Sequence, residues 1–246
     1  MDFSRLDALA EKVKAMRPLN SAELTRLRDE FMIENTHDST AIEGNTLTLR
    51  ETALVLQQGV TIAEKPLRDH LEAIGHKDAF YYVVTLAEQQ APLSEWMVKN
   101  IHSLVLMNDA QNKGVYRSVP VSIAGALHTP PPPYLVAEQM AALLSDYAEM
   151  KGRLHPIEAA AELHLRFEGI HPFIDGNGRT GRLILNLELI KAGLLPVNIK
   201  FADRRRYYDS FDAYFGEEHS PHALAGLLAD YEIAELEKRL AILAGE

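Results

Sequence analysis

The sequence predicts a mostly α-helical bundle with a short β-hairpin flap. Most of the chain places apolar residues at helical spacing. One segment, 178–192, is apolar on nearly every side, which is typical of a helix at the centre of a bundle. Another segment alternates apolar and polar residues, as a strand does. At roughly 150 residues per domain, 246 residues correspond to one or two domains, and no interdomain linker is recognisable.

Local signals place the helices along the chain. Thr48-Leu49-Arg50-Glu51 has the form of a capping box and opens a segment that runs to Gly59. Pro66 suits the first turn of the next helix. We expect an N-terminal helical region over 1–65 and a core over 66–246. Further helices are predicted over 96–107, 135–150, 156–168 and 178–192, with an acidic amphipathic helix over 224–243.

The predicted flap spans residues 114–133. Val119, Val121 and Ile123 alternate with other residues before Gly125, and the run Pro130 to Pro133 follows. This pattern is typical of a hairpin that ends in an extended polyproline arm.

Composition excludes several classes of protein. There is no cysteine, which excludes disulfide scaffolds, thiolate metal sites and thiol nucleophiles. A formal charge of -10 argues against a nucleic-acid partner, because sequence-independent binding to nucleic acid needs a basic face. The longest apolar stretch falls well short of the ~20 residues that cross a bilayer. The first residues lack a signal-peptide pattern, so we expect a cytoplasmic protein without a membrane partner.

The segment that carries chemistry runs from His171 to Arg182, with the sequence HPFIDGNGRTGR. Pro172 disfavours helical geometry at His171, so the preceding helix should end there and present the imidazole at a rim. Gly176 and Gly178 let the backbone turn its amides inward as an anion-binding nest. The next helix then adds its positive end.

Charged residues complete this predicted anion site. Arg179 and Arg182 are three positions apart and share a helix face, which is unfavourable unless an anion lies between them. Asp175 places one carboxylate where a divalent cation bridging phosphates would need it. The segment therefore indicates a polyphosphate cradle with a metal ligand and a histidine base. Each residue taken alone has an ordinary structural explanation, as a cap, a turn or a surface charge.

Two other motifs overlap this segment and are rejected. Gly176, Gly178 and Gly181 match the dinucleotide-binding pattern, but that pattern requires a strand before it and a βαβ unit around it. Glu168 and His171 form Glu-x-x-His, the unit of di-iron bundles, but those need a second copy that the chain lacks.

The string from His171 to Arg182 resembles the full signature of the Fic family. The similarity includes 114–117, His128 and 204–208, and covers most of residues 40 to 230. The resemblance implies a Fic-type helical fold and an auto-inhibited protein adenylyltransferase. Such an enzyme moves AMP from ATP to a Ser, Thr or Tyr hydroxyl of a target protein and releases pyrophosphate.

The resemblance also implies a role for each matching residue. His171 would be the base, and Asp175 would hold Mg²⁺, with Mn²⁺ as an alternative. The strand of the flap would pair with the backbone of the target protein. Phosphates would be held by Gly176, Asn177, Gly178, Arg179 and Arg182. Tyr207 and Tyr208 resemble adenine-side tyrosines, although simple packing explains them equally well.

Residues 39–44 resemble the inhibitory motif of the same family. Ser39 and Glu43 fit the pattern Ser/Thr-x-x-x-Glu-Gly/Asn, on a helix expected at about 36–44. A helix end closed by Gly44 is the simpler explanation of the pattern. In the family class with an N-terminal inhibitory helix, Glu43 would pair with Arg182 and withhold it from the γ-phosphate.

Two alternative functions stay open at this point. The first is a metal-dependent enzyme, or a bifunctional one, that uses Glu43 to remove AMP from a modified target. The second is a non-catalytic Fic interaction module. The C-terminal helix is consistent either with packing on the core or with forming a homodimer.

Overall fold

The computed structural model describes residues 1–123, 125–216 and 219–244. The described chain is helical throughout its regular structure, with two short 3₁₀ turns at Pro133–Leu135 and Phe201–Asp203. The ten α-helices in chain order are α1 (Ser4–Ala15), α2 (Ser21–Ile42), α3 (Leu49–Gln58), α4 (Leu67–Gln89), α5 (Glu95–Val105), α6 (Val136–Met150), α7 (Pro156–Ile170), α8 (Asn177–Lys191), α9 (Arg204–Phe215) and α10 (His222–Ala244).

Helix ends follow the local signals of the sequence. The Thr48 side chain accepts from the Glu51 amide and the Glu51 carboxylate accepts from the Thr48 amide, so the predicted capping box of α3 is confirmed. The same helix ends at Gly59, whose φ of 66° lies in the left-handed region. Helix α7 ends where Pro172 predicts, with His171 itself in the left-handed region at a φ of 50°.

Helix α8 lies at the centre of the bundle, as predicted. Leu183, Leu185, Leu187 and Leu189 are all buried, and the helix contacts α2, α4, α5 and α7. Its two sides contribute to two large apolar clusters, one built with α4 and α5 and the other with α7 and α10. The N-terminus of α8 is thereby held in a fixed position, directly after the loop that begins at His171.

Helix α2 crosses this bundle and is held by polar contacts along its length. Asp38 accepts from the Asn198 side chain at 2.7 Å, and Glu34 accepts from Lys200 at 2.8 Å. Thr36 Oγ1 lies 3.0 Å from His76 Nδ1 on α4. These contacts fix the last turns of α2 beside α8.

Helix α10 packs against α1 and α7 at one end of the molecule. The terminal helix thus packs on the core within this chain. Among the described helices, none combines the length and apolarity needed to cross a membrane.

The predicted β-hairpin is wrong for the described part of the flap, in which no strand forms. Residue 124, which falls inside the predicted hairpin, lies outside the described residues. Arg117 explains the difference. Its guanidinium donates to the carbonyls of Val119 and Pro131, so the two arms are joined by a side chain rather than by a ladder of backbone hydrogen bonds. Pro120 also lacks the amide that a ladder would use.

Candidate functional site

The loop before α8 is held rigidly by its own side chains. Asn177 Oδ1 accepts from the Phe173 amide and Asn177 Nδ2 donates to the Phe173 carbonyl, both at 2.9 Å. Phe173 is fully buried and stacks on His102 with ring centroids 3.6 Å apart. Both the oxygen and the nitrogen of the Asn177 side-chain amide are thus hydrogen-bonded to the Phe173 backbone, which holds the loop closed. The role of Asn177 toward an α-phosphate stays a prediction.

His102 supports the loop from beneath. Its Nδ1 accepts from the Gly114 amide at 2.8 Å, and its Nε2 lies 2.9 Å from the Asp175 carbonyl oxygen. Burial lowers the pKa of His102 to about 4, so the ring is neutral at pH 7 and Nε2 donates the second hydrogen bond. This histidine has no motif signal in the sequence, because its partners lie far along the chain.

The two glycines of the loop are required for different reasons. Gly176 has a φ of 75°, a conformation that favours glycine, and it forms the turn into α8 as predicted. Gly178 is already inside the helix, without a positive φ, so its predicted role in turning the chain is wrong. An added Cβ at 178 would overlap Glu43 Oε1, so the glycine allows the close approach of that carboxylate.

Arg182 is buried and contacts the end of α2. Its Nη2 donates to Glu43 Oε1 and to the Ser39 carbonyl, each at 2.8 Å, and its Nε donates to Ser39 Oγ at 3.0 Å. The predicted contact between Glu43 and Arg182 is therefore present, with Ser39 as a second partner. The Arg182 side chain is 5% exposed but that of Glu43 is 36% exposed, so solvent reaches the carboxylate side of this ion pair.

Arg179 contacts different residues from Arg182, although the two are only three positions apart on α8. It is 2% exposed, with Asp175 Oδ1 at 3.3 Å and Glu72 Oε1 at 3.6 Å. The structure does not bring it into the cavity that Arg182 lines. Asp175 itself has a side chain that is 65% exposed, so one oxygen-donor group is open to solvent at this end of α8.

A cavity of about 380 Å³ lies between the end of α2, the start of α8 and helix α9. Its volume is in the usual range for small-molecule sites. Among the predicted site residues it is lined by Glu43, Ile123, His171, Gly178, Arg182, Tyr207 and Tyr208. Sequence reasoning missed other residues that line it, namely Gly125, Ala126, His128, Glu168, Phe211 and Asp212.

The two tyrosines behave differently. Tyr207 is buried, and its hydroxyl lies 2.7 Å from His164 Nε2 and 3.4 Å from Arg182 Nη1. Tyr208 is exposed and donates to the Ile42 carbonyl at 3.3 Å. Tyr207 is therefore part of the buried network around Arg182, whereas Tyr208 presents its ring to the cavity and connects α9 to α2.

Magnesium fits this site only together with a phosphate ligand. No group of three or more His, Cys, Asp or Glu side chains suited to a metal ion occurs in the described part of the chain. Mg²⁺ is nevertheless commonly held by one or two carboxylates together with substrate phosphates and water. The exposed carboxylate of Asp175, at the same helix start as the proposed phosphate site, meets that requirement.

The fold and site define a class of protein, a helical bundle in which the N-terminus of a central helix lies beside a histidine and an arginine that line one cavity. The model of the Fic/DOC family matches residues 92–189. A Fic domain containing signaling protein from Bacteroides thetaiotaomicron VPI-5482 has 30% sequence identity and a TM-score of 0.89, with 99% of this chain and 98% of that chain covered. The chain belongs to the Fic family.

Other relatives agree with that assignment. The chain is 37% identical over 217 residues to a protein adenylyltransferase Fic from Nematostella vectensis, a match that covers 85% of this chain and 50% of the relative. It is also similar to Fic-1 (aa134–508) from C. elegans, with 29% identity, a TM-score of 0.83 and coverage of 97% and 70%. The chain spans about half the length of the curated relatives it matches.

Proposed function

We propose that this chain is a protein adenylyltransferase that uses ATP. The observation that carries the proposal is the cavity in which His171, Arg182 and the first turn of α8 meet. Curated relatives named protein adenylyltransferase Fic support it at 33–37% identity over 84–85% of this chain.

The proposed reaction is an in-line displacement at the α-phosphorus of ATP. An acceptor hydroxyl oxygen of the target forms a bond to that phosphorus while its proton passes to His171 Nε2. The bond from phosphorus to the oxygen bridging to the β-phosphate breaks, and pyrophosphate leaves with the electron pair. The products are the AMP-modified target and pyrophosphate.

The chain's own residues would bind and orient the phosphates. Amides around Gly176 and Gly178, at the positive end of α8, would stabilise the charge that develops on them. Arg182 would hold the γ-phosphate end, with Arg179 as a second cation nearby. Asp175 would hold Mg²⁺ or Mn²⁺, and the chemistry supplied by that ion would be neutralisation of phosphate charge.

Docking of the target is proposed at the segment 115–123. Val119 is exposed, and Ile123 lines the cavity beside His171. The backbone of an extended segment offers hydrogen bonds to an extended peptide of the target. Side chains of Val119, Val121 and Ile123 would then set its register.

Glu43 is proposed as a brake on this activity. Its carboxylate binds Arg182, the cation that the γ-phosphate needs, and would also repel that phosphate. Gly178 packs directly against the same carboxylate, which supports a brake that would occupy the proposed phosphate site.

The test is transfer of label from α-labelled ATP. The Glu43→Gly protein should label itself and lysate targets far more than wild type does, and adding His171→Ala should abolish the label. Glu30→Gln, which removes another acid from α2 that lies at the surface beside Arg26, is the matched control and should behave as wild type. Equal labelling of Glu43→Gly and wild-type protein would disprove the brake, and label that survives His171→Ala would disprove the mechanism.

Removal of AMP is a second candidate activity, favoured by one observation. The Glu43 carboxylate lines the same cavity as His171, and from there it would orient a water toward the phosphodiester of an AMP-modified target. Incubation of an AMP-modified target with wild-type protein and Mg²⁺ should then release AMP, and Glu43→Gln should not release it.

A further inference from the structure

The Glu168–His171 pair is a buried acid–histidine contact that the proposed reaction has not yet used. Glu168 lies in the last turn of α7 and is only 7% exposed. Its Oε1 is enclosed and has no hydrogen-bond partner among the described residues. Its Oε2 lies 3.6 Å from His171 Nδ1. Burying a carboxylate oxygen without a hydrogen-bond partner lowers the stability of the fold. A functional role for Glu168 would explain its position.

The two nitrogens of the His171 ring differ in their surroundings. Nδ1 is enclosed and faces Glu168, without a hydrogen-bond partner in the described part of the chain. The ring also lines the cavity and its side chain is 20% exposed, so the accessible part of the ring lies away from Nδ1. Nε2 is consequently the nitrogen available to an acceptor hydroxyl.

The backbone at His171 contributes to this orientation. A φ of 50° is unusual for a residue other than glycine and stores a small amount of strain. The conformation ends α7 and places the ring beside the residue three positions earlier. Backbone strain at a residue that lines the cavity is consistent with a conformation that positions the His171 ring.

The other titratable side chains near Glu168, those of His164 and Arg182, already have hydrogen-bond partners of their own. His164 Nε2 is bound to Tyr207, and burial lowers the pKa of His164 to about 4, so this ring is neutral at pH 7. Arg182 donates to Ser39, Glu43 and Tyr207.

The carboxyl of Glu168 is nevertheless held in its charged form. Burial by itself would raise its pKa, but His171 first of all, and the charge of Arg182 after it, keep that pKa below the ordinary value. Space for the carboxylate exists because Gly181 lacks a side chain, since an added Cβ would lie 2.6 Å from Oε1.

We propose that Glu168 is a positioning residue that accepts a hydrogen bond from the Nδ1–H of His171 and so leaves Nε2 unprotonated and free to act as the base. This inference rests on the proposed adenylyl transfer. When Nε2 takes the acceptor's proton, the ring becomes an imidazolium whose positive charge faces the carboxylate. The distance of 3.6 Å is slightly longer than a hydrogen bond, and such contacts commonly shorten when substrate binds. The arrangement has the same logic as an acid that orients a catalytic histidine in a hydrolase triad.

The experiment compares Glu168→Gln with its parent on the Glu43→Gly background. Gln keeps the size of the side chain and removes its charge. We expect kcat for label transfer to fall about tenfold to a hundredfold, a part of what general base catalysis contributes, with KM for ATP unchanged. Nitrogen-15 NMR of the His171 ring, assigned by its loss in His171→Ala, should show the proton move away from Nδ1 in a part of the population.

Two further variants make the result specific. Glu158→Gln removes a charge from the same helix at a surface pair, where Glu158 Oε1 lies 3.2 Å from His222 Nε2, and should leave both readouts unchanged. Glu168→Asp keeps the charge and should retain more activity than Glu168→Gln, which separates positioning from a general packing defect.

Three results would overturn the inference. They are an unchanged ring tautomer in Glu168→Gln, a kcat within twofold of the parent, and a Glu168→Asp protein no better than Glu168→Gln. If the Glu43→Gly parent transfers no label at all, the proposed adenylyl transfer is wrong, and the tautomer measurement still decides the role of Glu168.

Discussion

Arg182 depends on Ser39 as much as on Glu43. The Ser39 hydroxyl accepts from Arg182 Nε in a buried setting, so Ser39→Ala leaves a charged donor without its acceptor. We expect Ser39→Ala to lower the free energy of unfolding by about 1–3 kcal/mol, measured by urea denaturation. The effect on labelling should be smaller than that of Glu43→Gly, because the carboxylate remains.

Ser210→Ala provides the comparison for this prediction. Ser210 is also buried, but its hydroxyl donates to the neutral carbonyl of Tyr207 at 2.6 Å. Loss of the Ser210 hydroxyl should lower the free energy of unfolding by less than loss of the Ser39 hydroxyl does. Equal losses for the two variants would argue that the contact of Ser39 with a charged group is unimportant.

Gly181 is the second single residue with a large predicted effect. An added Cβ would lie 2.6 Å from Glu168 Oε1 and 2.9 Å from His164 Cε1. Such overpacking typically costs about 1–3 kcal/mol, more than the fraction of a kcal/mol that alanine gains over glycine inside a helix. Thermal unfolding should show Gly181→Ala to be destabilised, whereas Gly152→Ala, with open space around its Cβ, should be close to neutral.

At the scale of single elements, α10 carries a buried acid that makes stability depend on pH. Glu232 Oε1 accepts from the Leu195 amide at 2.8 Å, and burial raises the pKa of Glu232 from 4.5 to about 8. Between these two pH values the folded chain keeps a proton that the unfolded chain has lost. The contribution to stability is therefore largest below pH 4.5 and declines as the pH rises toward 8.

Glu232→Gln should remove this pH dependence. Gln is neutral at all pH values and its side-chain oxygen can still accept from the Leu195 amide. Urea denaturation at pH 5.5 and pH 8 should show wild type losing more stability between the two pH values than the variant does. Parallel losses in the two proteins would contradict the assignment of this effect to Glu232.

The sequence predicted elements whose ends are determined by neighbouring residues, such as α3. It did not predict the conformation of the flap, which depends on contacts between residues far apart in the chain. Both ends of α3 follow from Thr48, Glu51 and Gly59, all close together in the chain. The missing hairpin depends on the reach of Arg117 to Pro131 and to the end of α7, which no local pattern reveals. Helix α2 was expected only at its last turns, although Asn20 and Glu23 form a capping box at its start.

In the candidate site, too, features caused by neighbouring residues were predictable and features caused by tertiary contacts were not. The turn at Gly176 and the left-handed end at His171 follow from neighbouring residues. The partner of Arg179, Glu72, lies on α4 and far away in sequence, so the different surroundings of Arg179 and Arg182 required the tertiary structure. Glu168 had a visible signal, its spacing from His171, but that spacing alone did not distinguish metal binding from positioning.

At the scale of the whole molecule, Arg117 joins the predicted docking segment to the helical core. Its Nε donates to the His171 carbonyl at 2.8 Å, and its Nη2 donates to the Pro131 and Ile170 carbonyls. One side chain thus connects the segment 115–131 to the junction before α8. The position of a docked target relative to His171 depends on this connection.

Arg117→Ala should loosen the docking segment while leaving nucleotide binding intact. We expect faster limited proteolysis within 115–131 and, on the Glu43→Gly background, a higher KM for the protein target with KM for ATP within about twofold. Arg153→Ala is the matched control, because that arginine makes its contacts at the surface with Glu149. Unchanged proteolysis in Arg117→Ala would show that other contacts hold the segment.

The anchoring of α2 determines how quickly the proposed brake can be released. Asp38, Glu34 and Thr36 hold the helix through partners that do not include Glu43, and Arg182 also binds the Ser39 backbone. In the proposed brake, rotation of the Glu43 side chain would be enough for the arginine to meet a phosphate. Side-chain rotations at accessible positions take picoseconds to nanoseconds, whereas opening of a packed helix takes microseconds or longer. Release of the proposed brake would thus be a local, fast event, and amide hydrogen exchange over 36–42 should be the same in wild type and Glu43→Gly.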